Sequence, residues 1–126
     1  FIEQNDTGFE VLSLPNAVQL EPVNSILVED LNQDGFPDLL LVGNDYSAEV
    51  NGGRYDASFG TTLINTKDGN FTEVSRKKSG FTVAGDSKSI VNVSTKDSNL
   101  IFVGRNGETL ATFKFKNTNT HNLNTK

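Results

Sequence analysis

One stretch of the chain concentrates oxygen-bearing side chains at regular spacing. Residues 30–38 have the pattern D-x-N-x-D-G-x-x-D, with such side chains at relative positions 1, 3, 5 and 9. Calcium takes about six to eight oxygen ligands, and Gly35 permits the sharp bend that turns alternate residues inward. We therefore predict a calcium site. Its ligands are the side chains of Asp30, Asn32, Asp34 and Asp38 and the backbone carbonyl of Phe36.

The same pattern begins an EF-hand loop, in which a glutamate from a following helix stands at position 12. Position 12 here is Leu41, inside the apolar run 39–42. The loop is therefore expected to join two strands rather than two helices. Magnesium is a weaker candidate because it keeps several waters and takes few carboxylates. The alternative without any metal is a turn rich in Asp and Asn.

The elements around this loop are predicted to be strands. Apolar residues occur in clusters of strand length bounded by Gly, Asn, Asp or Ser, and helical periodicity is absent. Residues 110–115 alternate with the period of two that is typical of a half-buried strand. Turns are expected at residues 6–8, 67–70 and 105–108, and Asn106-Gly107 predicts a type I′ hairpin. These patterns predict an all-β fold with antiparallel neighbours.

An internal repeat groups these strands. Segment 38–44 matches segment 99–105 at a spacing of 61, and Ile26 and Ile90, 64 apart, each begin the preceding strand. Such a period with about four strands per unit is typical of β-propeller blades. The alternative is a small self-contained β-sandwich. We predict a partial propeller of about two blades, completed by remaining blades of a parent chain.

The repeat period divides the chain into four parts. Residues 1–23 hold strands C and D of one blade, residues 24–79 form a complete blade with the calcium loop, and residues 80–115 form a final degenerate blade without its fourth strand. Residues 116–126 are predicted to be a polar tail. In the last blade the loop at residues 92–99 aligns one residue shorter and lacks acidic residues at ligand positions, so no metal is predicted there.

These motifs carry a family resemblance. Residues 26–42 resemble the FG-GAP/VCBS repeat, the blade unit of integrin-α-like propellers. Residues 43–46, 49, 53–57, 79–81 and 85–86 are similar to the C-terminal propeller end of bacterial VCBS proteins related to the ASPIC/UnbV group. The resemblance implies a propeller with bound calcium in a secreted or surface-attached protein. It carries the metal role onto the five residues named above and leaves a protein or carbohydrate ligand unidentified.

Composition restricts the remaining functions. A net charge of −5 and an isoelectric point near 4.7 argue against nucleic acid as a partner, and the longest apolar run is too short for a membrane span. The chain has no Cys and its single His lies in the predicted tail, which leaves thiol and Ser–His–Asp catalysis without support. The remaining catalytic alternative is a carboxylate pair among Asp45, Glu49 and Asp56, to which nothing in their spacing points.

We therefore expect a non-catalytic binding or scaffold module. The alternative is the propeller portion of an extracellular hydrolase or lyase that acts on polysaccharide. The chain starts at Phe1 and contains no Met, so we expect a processed chain or a piece of a longer protein. Residues 44–59 are long for a hairpin connection. Their Tyr46, Arg54 and Tyr55 could contact a sugar or peptide, or could pack on an adjacent blade.

Overall fold

The structure, a computed structural model, describes residues 2–20, 22–46 and 58–114. Each strand that the sequence predicts is present in these ranges. The strands are β1 (Ile2–Asn5), β2 (Gly8–Val11), β3 (Val23–Glu29), β4 (Asp38–Gly43), β5 (Thr61–Asn65), β6 (Phe71–Val74), β7 (Ser87–Ser94), β8 (Asn99–Arg105) and β9 (Ala111–Lys114). The prediction of an all-β fold is confirmed.

The strands form three antiparallel sheets in chain order. Their orders are β1-β2, β3-β4-β5-β6 and β7-β8-β9, so each strand pairs with its neighbour in sequence. Consecutive meanders of two, four and three strands agree with partial propeller blades, and not with a sandwich of two sheets. The unit boundaries at residues 1–23, 24–79 and 80–115 stay predictions. The predicted tail, residues 116–126 with His121, lies outside the described residues.

Two short helices interrupt this pattern. They are α1 (Asn16–Gln19) and α2 (Arg76–Ser79), single turns of four residues each without a buried residue. The basic cluster at residues 76–78, whose sequence shows no helical periodicity, thus forms α2 on the surface. Arg76 lies over the ring of Phe59, 4.7 Å from its centroid. Neither helix, nor any other part of the described chain, provides a helix long and apolar enough to cross a membrane.

Strand β4 is the centre of the packing. All six of its residues are buried, which explains why an unbroken apolar run forms a strand. Leu40 and Val42 pack in a cluster with residues of β7 and β8, between the four-stranded and three-stranded sheets. Leu39 and Leu41 pack in a second cluster with Leu14, which precedes α1. The two faces of β4 therefore contact two different neighbours, as a central blade strand must.

Hairpins β3–β4 and β7–β8 are built in the same way. Each has a register shift near the start of its first strand, consistent with a β-bulge. The residue after the second strand then donates its backbone N–H to the carbonyl of the residue before the first. These bonds are Asn44 to Pro22 at 3.2 Å and Asn106 to Asp86 at 2.8 Å. The shared construction confirms that the chain contains an internal repeat.

The strand register corrects the alignment of this repeat. Glu29 pairs with Asp38, and Val93, which is 64 residues beyond Glu29, pairs with Leu100. The structural counterpart of Asp38 is therefore Leu100, at a spacing of 62, and the predicted spacing of 61 is wrong. A slip of one residue exchanges the two faces of a strand. In the correct register, the two β4 leucines that pack on the segment before the four-stranded sheet correspond to two residues of β8. Those two β8 residues pack on the four-stranded sheet, which precedes their own sheet in the chain.

The predicted type I′ hairpin at Asn106-Gly107 is also wrong. Such a turn needs positive φ at both central residues, whereas Gly107 has a φ of +72° and Asn106 does not have a positive φ. Asn106 instead donates its N–H to Asp86, and the guanidinium of Arg105 donates to the carbonyl of Thr109 at 2.6 Å. These contacts stabilise a longer connection between β8 and β9. They outweigh the preference of Asn-Gly for a type I′ turn.

Candidate metal site

The predicted calcium loop connects β3 to β4. It occupies residues 30–37, between the last residue of β3 and the first of β4. The prediction that it joins two strands is confirmed. Gln33 and Gly35 have φ values of +60° and +87°, so the backbone turns sharply at both positions. This bend holds the loop in a compact conformation.

Three of the predicted ligands meet in one set of hydrogen bonds. The backbone N–H of Asp34 donates to Oδ1 of Asp30 at 3.0 Å and to Oδ1 of Asn32 at 3.1 Å. Gly35 donates its N–H to Oδ2 of Asp30 at 2.8 Å. A carboxylate has about four acceptor sites, so Asp30 keeps acceptor capacity beyond these two bonds. The loop backbone therefore positions oxygen atoms that can still bind a cation.

Asp34 contacts a cation from the neighbouring hairpin. The backbone N–H of Phe36 donates to Oδ1 of Asp34 at 3.0 Å, and the ammonium of Lys67 lies 3.1 Å from Oδ2. The Phe36 N–H, followed by the Lys67 ammonium, holds the pKa of Asp34 below its ordinary value. Lys67 lies in the β5–β6 turn and also stands 5.3 Å above the ring of Phe36.

Asp38 is placed differently from the other predicted ligands. Its side chain has no exposed surface. Oδ2 accepts the N–H of Leu31 and Oδ1 accepts the N–H of Asn65, both at 2.9 Å. Asp38 thus ties the start of the loop to the end of β5. Its oxygen atoms satisfy buried backbone donors, a role that the spacing of the motif did not predict.

The donor set fits calcium in its chemistry. Every predicted ligand offers oxygen, including one amide and one backbone carbonyl, which is the mixture that calcium accepts. In the described ranges, no three Asp, Glu or His side chains lie close enough together to hold a metal ion by themselves. A calcium ion in this loop would therefore also use the amide oxygen of Asn32, the carbonyl of Phe36 and water. The five ligand roles stay predictions.

Comparison with known families gives one match within the chain. Residues 23–62 match the family model of the FG-GAP repeat. The matched segment, called the FG-GAP repeat below, includes β3, the candidate metal loop, β4 and the first two residues of β5. Searches of curated proteins and of solved structures found no significant match to the chain.

The counterpart of the FG-GAP loop in the three-stranded sheet is shorter. The loop itself is residues 95–98, between β7 and β8. By strand register, residues 94–99 correspond to residues 30–37, so the connection is two residues shorter and not one as aligned from sequence. Its backbone is closed by Ser98, which donates its N–H to the hydroxyl of Thr95 at 3.0 Å. The absence of metal binding there stays a prediction.

A buried polar contact at the other end of β4 was missed by sequence reasoning. Asn44 is 1% exposed and has a φ of +83°. Its amide donates to the carbonyls of Ser58 at 2.7 Å and Gly85 at 3.0 Å, so it joins β4 to the start of the three-stranded sheet. An Asn directly after an apolar strand was the available signal, because Asn tolerates positive φ.

The other predicted candidates fall mostly outside the described residues. Asp45 and Tyr46 are half-buried directly after Asn44. Outside the described ranges lie Glu49, Arg54, Tyr55 and Asp56, so the suggested carboxylate pair and the suggested sugar contacts have no structural test.

Proposed function

We propose that this chain is a calcium-stabilised β-propeller module of a secreted or surface protein. Its role is to bind a protein or carbohydrate ligand or to serve as a scaffold, without catalysis. The resemblance of its residues between 43 and 86 to bacterial VCBS proteins of the ASPIC/UnbV group belongs to this proposal. The remaining blades of the propeller would come from a parent chain.

The observation that carries this proposal is the conformation of the loop inside the FG-GAP repeat. Backbone N–H groups hold the carboxylates of Asp30 and Asp34 within one short turn. Carboxylates gathered in this way repel one another unless a cation offsets their charge. Lys67 is the cation that the structure places on Asp34. A calcium ion would supply the larger part of the compensation.

In this proposal the metal is structural. The predicted ligands, Asp30, Asn32, Asp34, Asp38 and the Phe36 carbonyl, all lie between the end of β3 and the start of β4. Binding there would fix the hairpin at the centre of the FG-GAP repeat. Because metal that binds only the folded state stabilises it, calcium should raise the thermal stability of the chain.

Calorimetric titration of the folded chain with CaCl₂ tests the proposal. Modules outside the cell commonly bind calcium with a Kd of about 10⁻⁴–10⁻³ M, so we expect saturable binding in that range and a melting temperature that rises with calcium. MgCl₂ should bind more weakly. Asp34→Ala should abolish binding, whereas Asp97→Ala, in the shorter loop, should not. The absence of saturable binding, or equal binding by Asp34→Ala, would exclude the site.

A further inference from the structure

The connection between β8 and β9 contains a reactive pair of residues that the proposed function does not use. Asn106 and Asn51 are the two asparagines of the chain that a glycine follows, and Asn51 lies outside the described residues. Asparagine is thermolabile, because the backbone nitrogen of the next residue can attack its side-chain amide carbon. Glycine at that next position has no Cβ to shield the nitrogen. The pair Asn106-Gly107 is therefore a candidate for covalent modification.

The structure leaves this pair open to such a reaction. Asn106 and Gly107 are both exposed. In the described part of the chain, no atom beyond the adjoining residues lies within 4 Å of the point where a Cβ on Gly107 would stand. The Gly107 N–H also donates no hydrogen bond within these ranges. The attacking nitrogen is thus free of both steric cover and a hydrogen-bond partner.

The side chain of Asn106 contacts a buried carboxylate. Its Nδ2 donates to Oδ2 of Asp86 at 3.3 Å, and its backbone N–H donates to the Asp86 carbonyl at 2.8 Å. Asp86 has no exposed surface. The ammonium of Lys88 lies 2.7 Å from Oδ1 of Asp86, and no other Lys or Arg of the described ranges forms an ion pair with this carboxylate. Asn106 therefore anchors the β8–β9 connection to a carboxylate whose charge one lysine already balances.

We propose that Asn106 deamidates in the folded protein and that this modification loosens the β8–β9 connection. The Gly107 nitrogen forms a bond to Cγ of Asn106, and the amide nitrogen leaves as ammonia with the proton of the Gly107 N–H. Water then opens the cyclic imide by adding its hydroxyl to one of the two ring carbonyl carbons and its proton to the ring nitrogen. The products are aspartate and isoaspartate, and water is the only co-reactant. The proposal does not depend on calcium or on the FG-GAP loop.

Both products remove the anchor at Asp86. The donor Nδ2 is lost, and a second carboxylate takes its place beside Oδ2 of Asp86, where only Lys88 supplies positive charge. Like charges this close repel, and more strongly in a buried site than in water. Isoaspartate also lengthens the backbone between residues 106 and 107, within the connection that Arg105 holds through the carbonyl of Thr109. The modification should therefore destabilise the three-stranded sheet.

Peptide mapping by mass spectrometry tests the reaction on the complete 126-residue chain. The folded chain is incubated at mildly alkaline pH in water enriched in a heavy oxygen isotope and is then digested with trypsin in ordinary water. Cleavage after Arg105 and Lys114 releases residues 106–114, in which Asn106 is the one asparagine. Cleavage after Lys67 and Arg76 releases the control peptide, residues 68–76, in which the exposed Asn70 precedes Phe71.

We expect an acid that carries one heavy oxygen at position 106. It should form at least about tenfold faster than at Asn70, because glycine alone leaves the attacking nitrogen unshielded. The heavy oxygen distinguishes deamidation during the incubation from deamidation during digestion. The absence of labelled acid at position 106, or equal rates at Asn106 and Asn70, would overturn the proposal.

Matched variants test the structural consequence. Asn106→Asp reproduces one product and should lower the melting temperature by several degrees, whereas Asn16→Asp, the same change at an exposed position of α1, should not. Adding Asp86→Asn to Asn106→Asp exchanges the amide and the carboxylate, so this double variant should recover part of the loss. An unchanged melting temperature in Asn106→Asp would overturn the loosening. A double variant no more stable than Asn106→Asp would overturn the repulsion assigned to Asp86.

Discussion

The carboxylate of Asp38 accepts the backbone N–H of Asn65 at 2.9 Å, with no part of the Asp38 side chain exposed. Its other oxygen accepts the N–H of Leu31 at the same distance. One side chain therefore joins the start of the candidate metal loop to the last residue of β5. This junction stabilises the blade even if the loop binds no metal.

Asp38→Asn should consequently destabilise the chain. The amide nitrogen of Asn is a donor, so one of the two backbone N–H groups would lose its acceptor inside the protein. Leaving a buried donor unpaired costs about 1–3 kcal/mol, and we expect a loss of this size in the free energy of unfolding, measured with urea in the presence of EDTA. Asp97→Asn is the control, expected within about 0.5 kcal/mol of the parent because Asp97 is exposed. Equal losses in both variants would contradict the assigned role.

Lys67 should compete with calcium for Asp34. Its ammonium lies 3.1 Å from Oδ2 of that carboxylate, so an ion that binds there must displace it. An exposed ion pair contributes little to stability, so Lys67→Gln should lower the calcium Kd by no more than about fivefold in calorimetric titration. Lys96→Gln should leave the Kd unchanged. Weaker calcium binding by Lys67→Gln would show that this lysine supports the site instead.

The strands could be predicted from sequence because their signals are local. Each apolar cluster has strand length and ends at turn residues, so the order of the elements follows from the chain alone. The register of the repeat could not be predicted in this way. Residues 39–42 are apolar at every position, so an alignment shifted by one residue matches equally well. Only the packing of Leu39 and Leu40 on opposite faces distinguishes the two registers.

The candidate site was predictable only in part, for a similar reason. The spacing of Asp30, Asn32 and Asp34 within one loop is a local pattern, and the structure brings these three together. The partners of Asp34 and Asp38 from the neighbouring hairpin are Lys67 and Asn65, about thirty residues away. No local sequence pattern predicts such contacts, since they depend on the register between β4 and β5.

Asp68 should show an acid-sensitive contribution to stability. The hydroxyl of Thr66 and the backbone N–H of Asn70 donate to its carboxylate, and these bonds hold the pKa of Asp68 below its ordinary value of 3.8. Since the folded-state pKa is the lower one, this contribution is present above pH 3.8 and is lost as the pH falls through the folded-state pKa.

NMR titration of the Asp68 carboxyl carbon measures this shift. We expect a pKa below 3.8 in the parent chain and a higher value in Thr66→Val, which removes the first hydrogen-bond donor. Thr95→Val is the control, because that hydroxyl bonds within the β7–β8 loop. An Asp68 pKa that does not move in Thr66→Val would show that the hydroxyl does not stabilise the carboxylate.

Gly43 and Gly104 should respond differently to the same substitution. A Cβ added to Gly43 would stand 1.7 Å from the backbone oxygen of Pro22, whereas one added to Gly104 would meet the side-chain oxygen of Ser89 at 2.5 Å. The Pro22 carbonyl is held by the N–H of Asn44, so relief at Gly43 requires movement of the backbone, while Ser89 can change rotamer. Urea unfolding should therefore show a loss of about 3 kcal/mol or more for Gly43→Ala and about 1 kcal/mol or less for Gly104→Ala. Adding Ser89→Ala should restore the stability of Gly104→Ala, and a loss for Gly104→Ala as large as that for Gly43→Ala would contradict the strand register described above.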